Sequence, residues 1–325
     1  MLEVRRFCRY TVPMCYNMDK LFQAVAERGH VCVGLDTAVE YIPEKERLSS
    51  AAEAILAYNK AIIDATIDIA ACFKVQIAYY EEMGLPGLKT YAATLSYLRG
   101  KGALVIADIK RSDIADTASR YARAHFEGDF EADFVTLNPY LGMDSLEPWL
   151  KWADNKGKGA FVLMRTSNKG RFDFECRELT GDTPPKRLYD AVGDKLSELA
   201  KTRLGKYGYG AFGAVVGADP QSEEERKEAM AIRSRHGNLF FLIPGYGAQG
   251  GAASDAALLL KDGNGGVVNA SRSILKAWQT RATAGAASGK AAAADAELDA
   301  ADNDFAANAA RQAAIEMRDA IRGVI

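Results

Sequence analysis

Short, continuous apolar runs alternate with longer amphipathic stretches along this chain, and the alternation repeats eight times. The apolar runs predict strands at 31–36, 72–76, 103–110, 134–137, 160–164, 212–216, 239–243 and 266–269. The amphipathic stretches between them, the first with Ala, Ile and Leu at helical spacing, predict helices at 48–70, 79–99, 114–126, from 138–142 through Trp149, and at 186–204, 222–235, 252–260 and 271–279. A long polar segment, 168–185, precedes the helix at 186–204. Strands written as unbroken apolar runs are covered on both faces, as in parallel sheets. Eight strand–helix units over roughly 250 residues favour an α/β fold of the closed (β/α)8 TIM-barrel type; an open doubly wound sheet is the alternative. The expected division is a barrel with an N-terminal extension over 1–279, an Ala-rich linker over 280–304 with little to bury, and a C-terminal helix over 305–325. In that helix Ile315, Met317, Ile321 and Ile325 are spaced by Arg and Glu, as in an amphipathic helix. It would pad the barrel or mark the edge of a domain joined to something else.

Composition narrows the function classes. The 325 residues carry a net charge of −2, so neither nucleic acid nor an acidic membrane surface is an expected partner. No apolar run reaches the ~18 residues of a membrane span, and residues 1–20 do not read as a secretory signal. The five cysteines, Cys8, Cys15, Cys32, Cys72 and Cys176, are scattered and form no C-x-x-C pair. That usage points to a reducing compartment, and Cys32 and Cys72 lie in apolar runs as buried strand residues. His30, His125 and His236 have no metal-ligand spacing and are expected at the surface or at helix ends.

The strongest chemical signal is Asp108-Ile-Lys110-Arg-Ser-Asp113, where the third strand runs out. Strand alternation puts Asp108 and Lys110 on one side, at the strand end where barrel active sites are built. Alone, the pattern could equally be a surface salt-bridge cluster or a helix cap by Asp113. Lys74 changes that, because a lysine inside the apolar second strand needs a partner; Asp108 on the neighbouring strand is the natural one. Asp36 closes the first strand in the same way. The arrangement is then either a reactive charge cluster or a salt-bridge layer capping the barrel. A second constellation follows the seventh and eighth strands: the Gly-rich loop from Pro244 through Gln249 to Gly251, and Ser271-Arg272. Loops at these places are the common phosphate site of such barrels, with backbone N–H groups, the Gln249 amide and the Arg272 fork as donors. The residues thus point to a phosphorylated small molecule and to chemistry done by Lys and Asp.

These residues resemble the orotidine 5′-phosphate decarboxylase family, bacterial-type branch. The resemblance runs over roughly 31–275 and rests on Asp108, Lys110 and Asp113 with Ile114 and Thr117, on Leu137-Asn-Pro-Tyr-Leu-Gly-Met-Asp144, on Arg165-Thr-Ser-Asn168 and on 244–251. It implies a charge-alternating array of Lys74, Asp108, Lys110 and Asp113, with no cofactor or metal. It further implies a homodimer in which Asp113 is lent by the neighbouring subunit and Thr117 reaches the ribose from there. Asp36 and Lys74 would hold ribose hydroxyls, Ser167 the pyrimidine ring, and Gln249 and Arg272 the phosphate, with Pro244 and Gly251 shaping the phosphate loop. Lys169 departs from the pattern, since similar members often have Pro there. A cytoplasmic enzyme of UMP biosynthesis is the implied setting. Some relatives are fused to orotate phosphoribosyltransferase, so fusion to or association with that enzyme stays open. The rivals are a Mg-dependent sugar-acid phosphate decarboxylase, in which an acid stands where Lys74 stands, a non-catalytic phosphate-binding barrel, and a Schiff-base aldolase.

Overall fold

The computed structural model describes residues 15–47, 50–181, 185–247, 251–284 and 301–325. The barrel strands are β1 (Val31–Gly34), β2 (Cys72–Gln76), β3 (Val105–Arg111), β4 (Phe134–Leu137), β5 (Gly159–Arg165), β8 (Phe212–Val216), β9 (Phe241–Ile243) and β10 (Gly266–Ala270). They are all parallel and close in the order β1-β2-β3-β4-β5-β8-β9-β10 back to β1. The fold is therefore the (β/α)8 barrel that the continuous apolar runs predicted. Its strands are almost wholly buried, with helices outside and side chains such as Phe73, Phe161 and Phe241 filling the core.

The helices are α1 (Asn17–Arg28), α2 (Ala51–Thr66), α3 (Ala78–Glu81), α4 (Gly84–Gly100), α5 (Ala115–Phe126), α6 (Glu147–Lys156), α7 (Leu188–Lys201), α8 (Glu223–Arg235), α9 (Ala253–Ala257), α10 (Arg272–Leu275), α11 (Ala277–Ala284) and α12 (Asn303–Arg322). Most match the predicted stretches with trimmed ends; Leu48, where one was expected to begin, lies outside the described residues, as does Cys8. Three differences have physical causes. The helix expected over 79–99 is broken into α3 and α4 at Gly84, which adopts φ +63°. The polar 168–185 segment is not structureless: β6 (Glu178–Leu179) pairs antiparallel with β7 (Lys186–Arg187) ahead of α7. Helix α1 was not anticipated; it buries Met18, Leu21 and Val25, and its Asn17 side chain donates to Asp133 Oδ1 at 3.0 Å.

The described cysteines are free thiols, with Cys32 and Cys72 buried in strands as expected. His125 and His236 lie at helix ends, one of the two expected placements, and none of the three histidines is at the surface. All three are buried: His125 in the last turn of α5, His236 just after α8, and His30 before β1. Helix α12 lies against α2, burying Ala306, Ala310, Ala314, Met317 and Ile321, and Arg311 grips Asp68 at 2.6 and 2.9 Å. Ile325 is exposed. Of the Ala-rich stretch, 285–300 lies outside the described residues. No helix among the described residues is long and apolar enough to cross a membrane.

Candidate active site

The C-terminal ends of the strands surround a cavity of about 430 Å³, within the usual size of small-molecule sites. Its charged floor is built from neighbouring strands. Lys74, on β2, donates to Asp36 Oδ1 and to Asp108 Oδ2, both at 2.9 Å. Lys110 donates to the other Asp108 oxygen at 2.6 Å. Asp36, just past β1, also accepts from the Ser271 hydroxyl at 2.9 Å. Gly34 makes that contact sterically feasible, because a Cβ there would lie 2.0 Å from Ser271 Oγ. Two ammonium groups and two carboxylates thus interleave across the cavity floor.

Burial and pairing set the protonation of this array. Burial alone would push Lys74 down, but the Asp108 and Asp36 carboxylates more than offset it and hold its pKa above the ordinary lysine value. Burial alone would raise Asp108; Lys74 and Lys110 outweigh that and hold its carboxyl well below the usual carboxylate range. The Lys74 and Asp108 side chains are 6% and 8% exposed, whereas Lys110 is 48% exposed. The buried pair therefore forms a fixed base, and Lys110 is the charge presented to the cavity.

Lys110 reaches this position by a different route from strand alternation. The pairing of β3 with β4 slips between Ala107 and Arg111, and Lys110 takes φ +43°. This bulge turns the chain so that the ammonium folds back onto Asp108. The hydroxyl of Thr136 on β4 sits beneath it, donating to Asp108 Oδ1 at 2.8 Å. Thr136 carried no signal in the sequence beyond being a polar residue in an apolar run. Ser271, Tyr246, Thr166 and Asn168, which fall within the motifs read from the sequence, also line the cavity, as do Asn269, Gln76, Tyr41 and Tyr79, which that reading did not single out.

The other expected residues divide into three groups. Asp36, Ser167, Pro244 and Arg272 line the same cavity as Lys74, Asp108 and Lys110. Arg272 opens α10, just past the end of β10, and lines the cavity together with Tyr79, Gly245 and Tyr246. Asp113 and Thr117 are not among the lining residues; Asp113 accepts the Ile114 N–H at 2.9 Å, and the residue capping α5 is Ile114, not Asp113. Gly251 is buried beside the cavity, its N–H used by Gly245 O at 3.1 Å, so it shapes the loop without offering its own N–H. Gln249 lies outside the described residues.

The Ser167 turn is held from behind. Glu175 accepts both the Thr166 N–H (2.8 Å) and the Thr166 hydroxyl (2.7 Å), and buried Arg171 pairs with Glu225 at 3.1 Å.

The orotidine 5′-phosphate decarboxylase / HUMPS family model matches residues 29–287. The chain belongs to this family. An orotidine 5′-phosphate decarboxylase of Clostridium perfringens (strain SM101 / Type A) is 54% identical over 309 residues, covering 94% of this chain and 98% of that one. A solved chain from Streptomyces avermitilis is 27% identical with a TM-score of 0.74, over 100% of this chain and 99% of that one. A Leishmania donovani UMP synthase structure is 31% identical with a TM-score of 0.67, covering 88% of this chain and 57% of that longer one.

Proposed function

We propose that this family member decarboxylates orotidine 5′-phosphate to UMP without a cofactor, Lys110 delivering the proton to C6 once CO2 has left. The observation that carries the reading is the Lys110 ammonium resting on Asp108, itself locked by Lys74, in a cavity that Arg272 also lines. The similarity to a Clostridium perfringens orotidine 5′-phosphate decarboxylase over nearly its whole length supports the same substrate.

Loss of CO2 leaves negative charge at C6 with little delocalisation. Asp108 beside the departing carboxylate repels it; at ~3 Å and an effective dielectric near 20 the repulsion is roughly 5 kcal/mol, relieved as neutral CO2 forms. Lys110 stabilises the growing carbanion and then donates its proton. A buried histidine, neutral at neutral pH, would do neither. Asp36 and Lys74 are placed to meet ribose hydroxyls, and Ser167 the pyrimidine. Arg272, with the 244–251 loop that carries Pro244, Gln249 and Gly251, would take the phosphate, whose binding energy aligns the distant C6.

Asp113 and Thr117 are not among the residues lining this subunit's own cavity, which supports a homodimer in which each subunit lends them to its neighbour's site. The free thiols among the described residues support a reducing compartment, and the cytoplasm is the proposed location. The match to just over half of a UMP synthase chain supports a barrel able to work beside a second enzyme such as orotate phosphoribosyltransferase.

A magnesium-dependent decarboxylase of sugar-acid phosphates is disfavoured by Lys74, whose ammonium occupies an oxygen of both carboxylates that would otherwise hold a hard cation. The test is to mix the protein with orotidine 5′-phosphate and follow the ultraviolet absorbance with and without EDTA. Chelator-independent conversion to UMP is expected. No conversion, or conversion abolished by EDTA and restored by Mg2+, overturns the proposal.

A further inference from the structure

We infer that Thr136 is a positioning residue for the decarboxylation, its hydroxyl clamping the Ile109–Lys110 bulge and the Asp108 carboxylate in the arrangement that aims the Lys110 ammonium. The inference rests on the proposed role of Lys110 and extends it to a residue that lines the same cavity and acts through its neighbours.

A threonine hydroxyl offers one donor and two acceptor lone pairs, and here all three are used. Thr136 Oγ1 donates to Asp108 Oδ1 at 2.8 Å and accepts the backbone N–H groups of Ile109 and Lys110, both at 2.9 Å. Successive N–H groups of a regular strand point to opposite sides. Two of them can meet one oxygen only because β3 bulges here, where its register against β4 slips. The bulge needs such support, because Lys110 is a non-glycine residue at φ +43°.

The consequence for chemistry follows from which oxygen is involved. Asp108 Oδ1 takes both the Thr136 hydroxyl and the Lys110 ammonium, while Oδ2 takes Lys74. One buried hydroxyl, 1% exposed, therefore fixes the backbone that carries the proton donor and the carboxylate that orients it. Arg272, Asp36 and Ser167 come from other elements of the barrel, and among the described residues none of them hydrogen-bonds Thr136 itself. Loss of the hydroxyl should misplace the reacting groups while leaving the phosphate, ribose and ring contacts in place.

The experiment compares Thr136→Val, which keeps the shape, with Thr136→Ser, which keeps the hydroxyl. kcat and KM for orotidine 5′-phosphate, inhibition by UMP and thermal denaturation are measured for both. In Thr136→Val kcat should fall by roughly 10²-fold, the usual result of misplacing reacting groups by about an ångström. KM and UMP inhibition should stay within about threefold, since the binding contacts are untouched. Thr136→Ser should recover most of kcat. If Thr136→Val does not fold, Thr136→Cys, with its weaker hydrogen-bonding group, takes its place and should fall below Thr136→Ser in kcat. The inference is overturned if the valine (or cysteine) variant keeps wild-type kcat, if serine is as impaired as valine, or if the loss appears in KM alone. A wild-type protein that does not turn over orotidine 5′-phosphate would instead sink the proposed function, so the two failures are distinguishable.

Discussion

Replacing Lys74 with methionine removes one ammonium from between two carboxylates while keeping most of the side-chain volume. The Lys74 amine lies 2.9 Å from both Asp36 and Asp108, and the Lys74 and Asp108 side chains are nearly inaccessible to water. Breaking a buried pair by deleting one partner costs about 3–5 kcal/mol, because the remaining charge stays buried. Here Asp108 keeps Lys110 and Thr136, and Asp36 keeps Ser271. The loss should therefore fall at the low end, near 3 kcal/mol, a large part of the ~5–15 kcal/mol that holds a typical domain together. The sign with pH follows from the same pairing. Asp108 is held below the carboxylate range, so its contribution is present above the ordinary carboxylate pKa and fades as pH falls through the lowered one. Lys74 is held above the lysine range, so its contribution is present below the ordinary lysine pKa and fades as pH rises through the raised one. The gap between wild type and variant should be widest near neutrality. Guanidinium denaturation at neutral pH, with the m-value unchanged, measures it. A loss under about 1 kcal/mol would refute the reasoning, since that is the scale of an exposed pair.

Three further outcomes follow. Arg272→Ala should raise KM for orotidine 5′-phosphate and lower kcat/KM with the fold intact; unchanged constants would remove Arg272 from the phosphate site. Burial lowers the pKa of His125 and His236 from 6.5 to about 4. Each then contributes up to roughly 3 kcal/mol of stability that is present above pH 6.5 and is lost as pH falls toward 4. Denaturation midpoints that stay flat over that interval would contradict it. Mixing Lys110→Ala with Asp113→Asn under conditions that exchange subunits should restore about a quarter of wild-type activity, because half of the random dimers are mixed and each carries one intact site. No recovery would mean that the sites are not shared.

The barrel was legible because strands covered on both faces must be apolar throughout, and runs such as Phe134–Leu137 have no other use in so regular an alternation. Lys74 was legible for the converse reason, as a charge where the pattern allows none without a partner. Features that depend on tertiary contact were not. His236 is buried because Gly193 leaves room for its ring, a Cβ there falling 2.5 Å from Nε2, and nothing local to either residue announces that fit. The β6–β7 pairing joins two-residue strands too short to carry a period. Alternation placed Lys110 beside Asp108, yet the structure does so through a bulge whose support, Thr136, comes from the next strand. Helix α1 had the spacing of Met18, Leu21 and Val25, but the polar residues around them hid a face that only the barrel wall makes useful.

The most direct measurement runs the proposed proton transfer backwards. UMP is incubated in D2O with wild type and with Lys110→Ala, and deuterium at C6 is followed by NMR, with UMP binding measured alongside. Lys110 is half exposed and Asp108 keeps its other partners, so the variant should fold and bind UMP. The account predicts exchange by the wild type and a loss of at least ~10³-fold in the variant, as expected for removing both the proton donor and the charge that stabilises the carbanion. Exchange by Lys110→Ala at the wild-type rate would show that the C6 proton comes from another group.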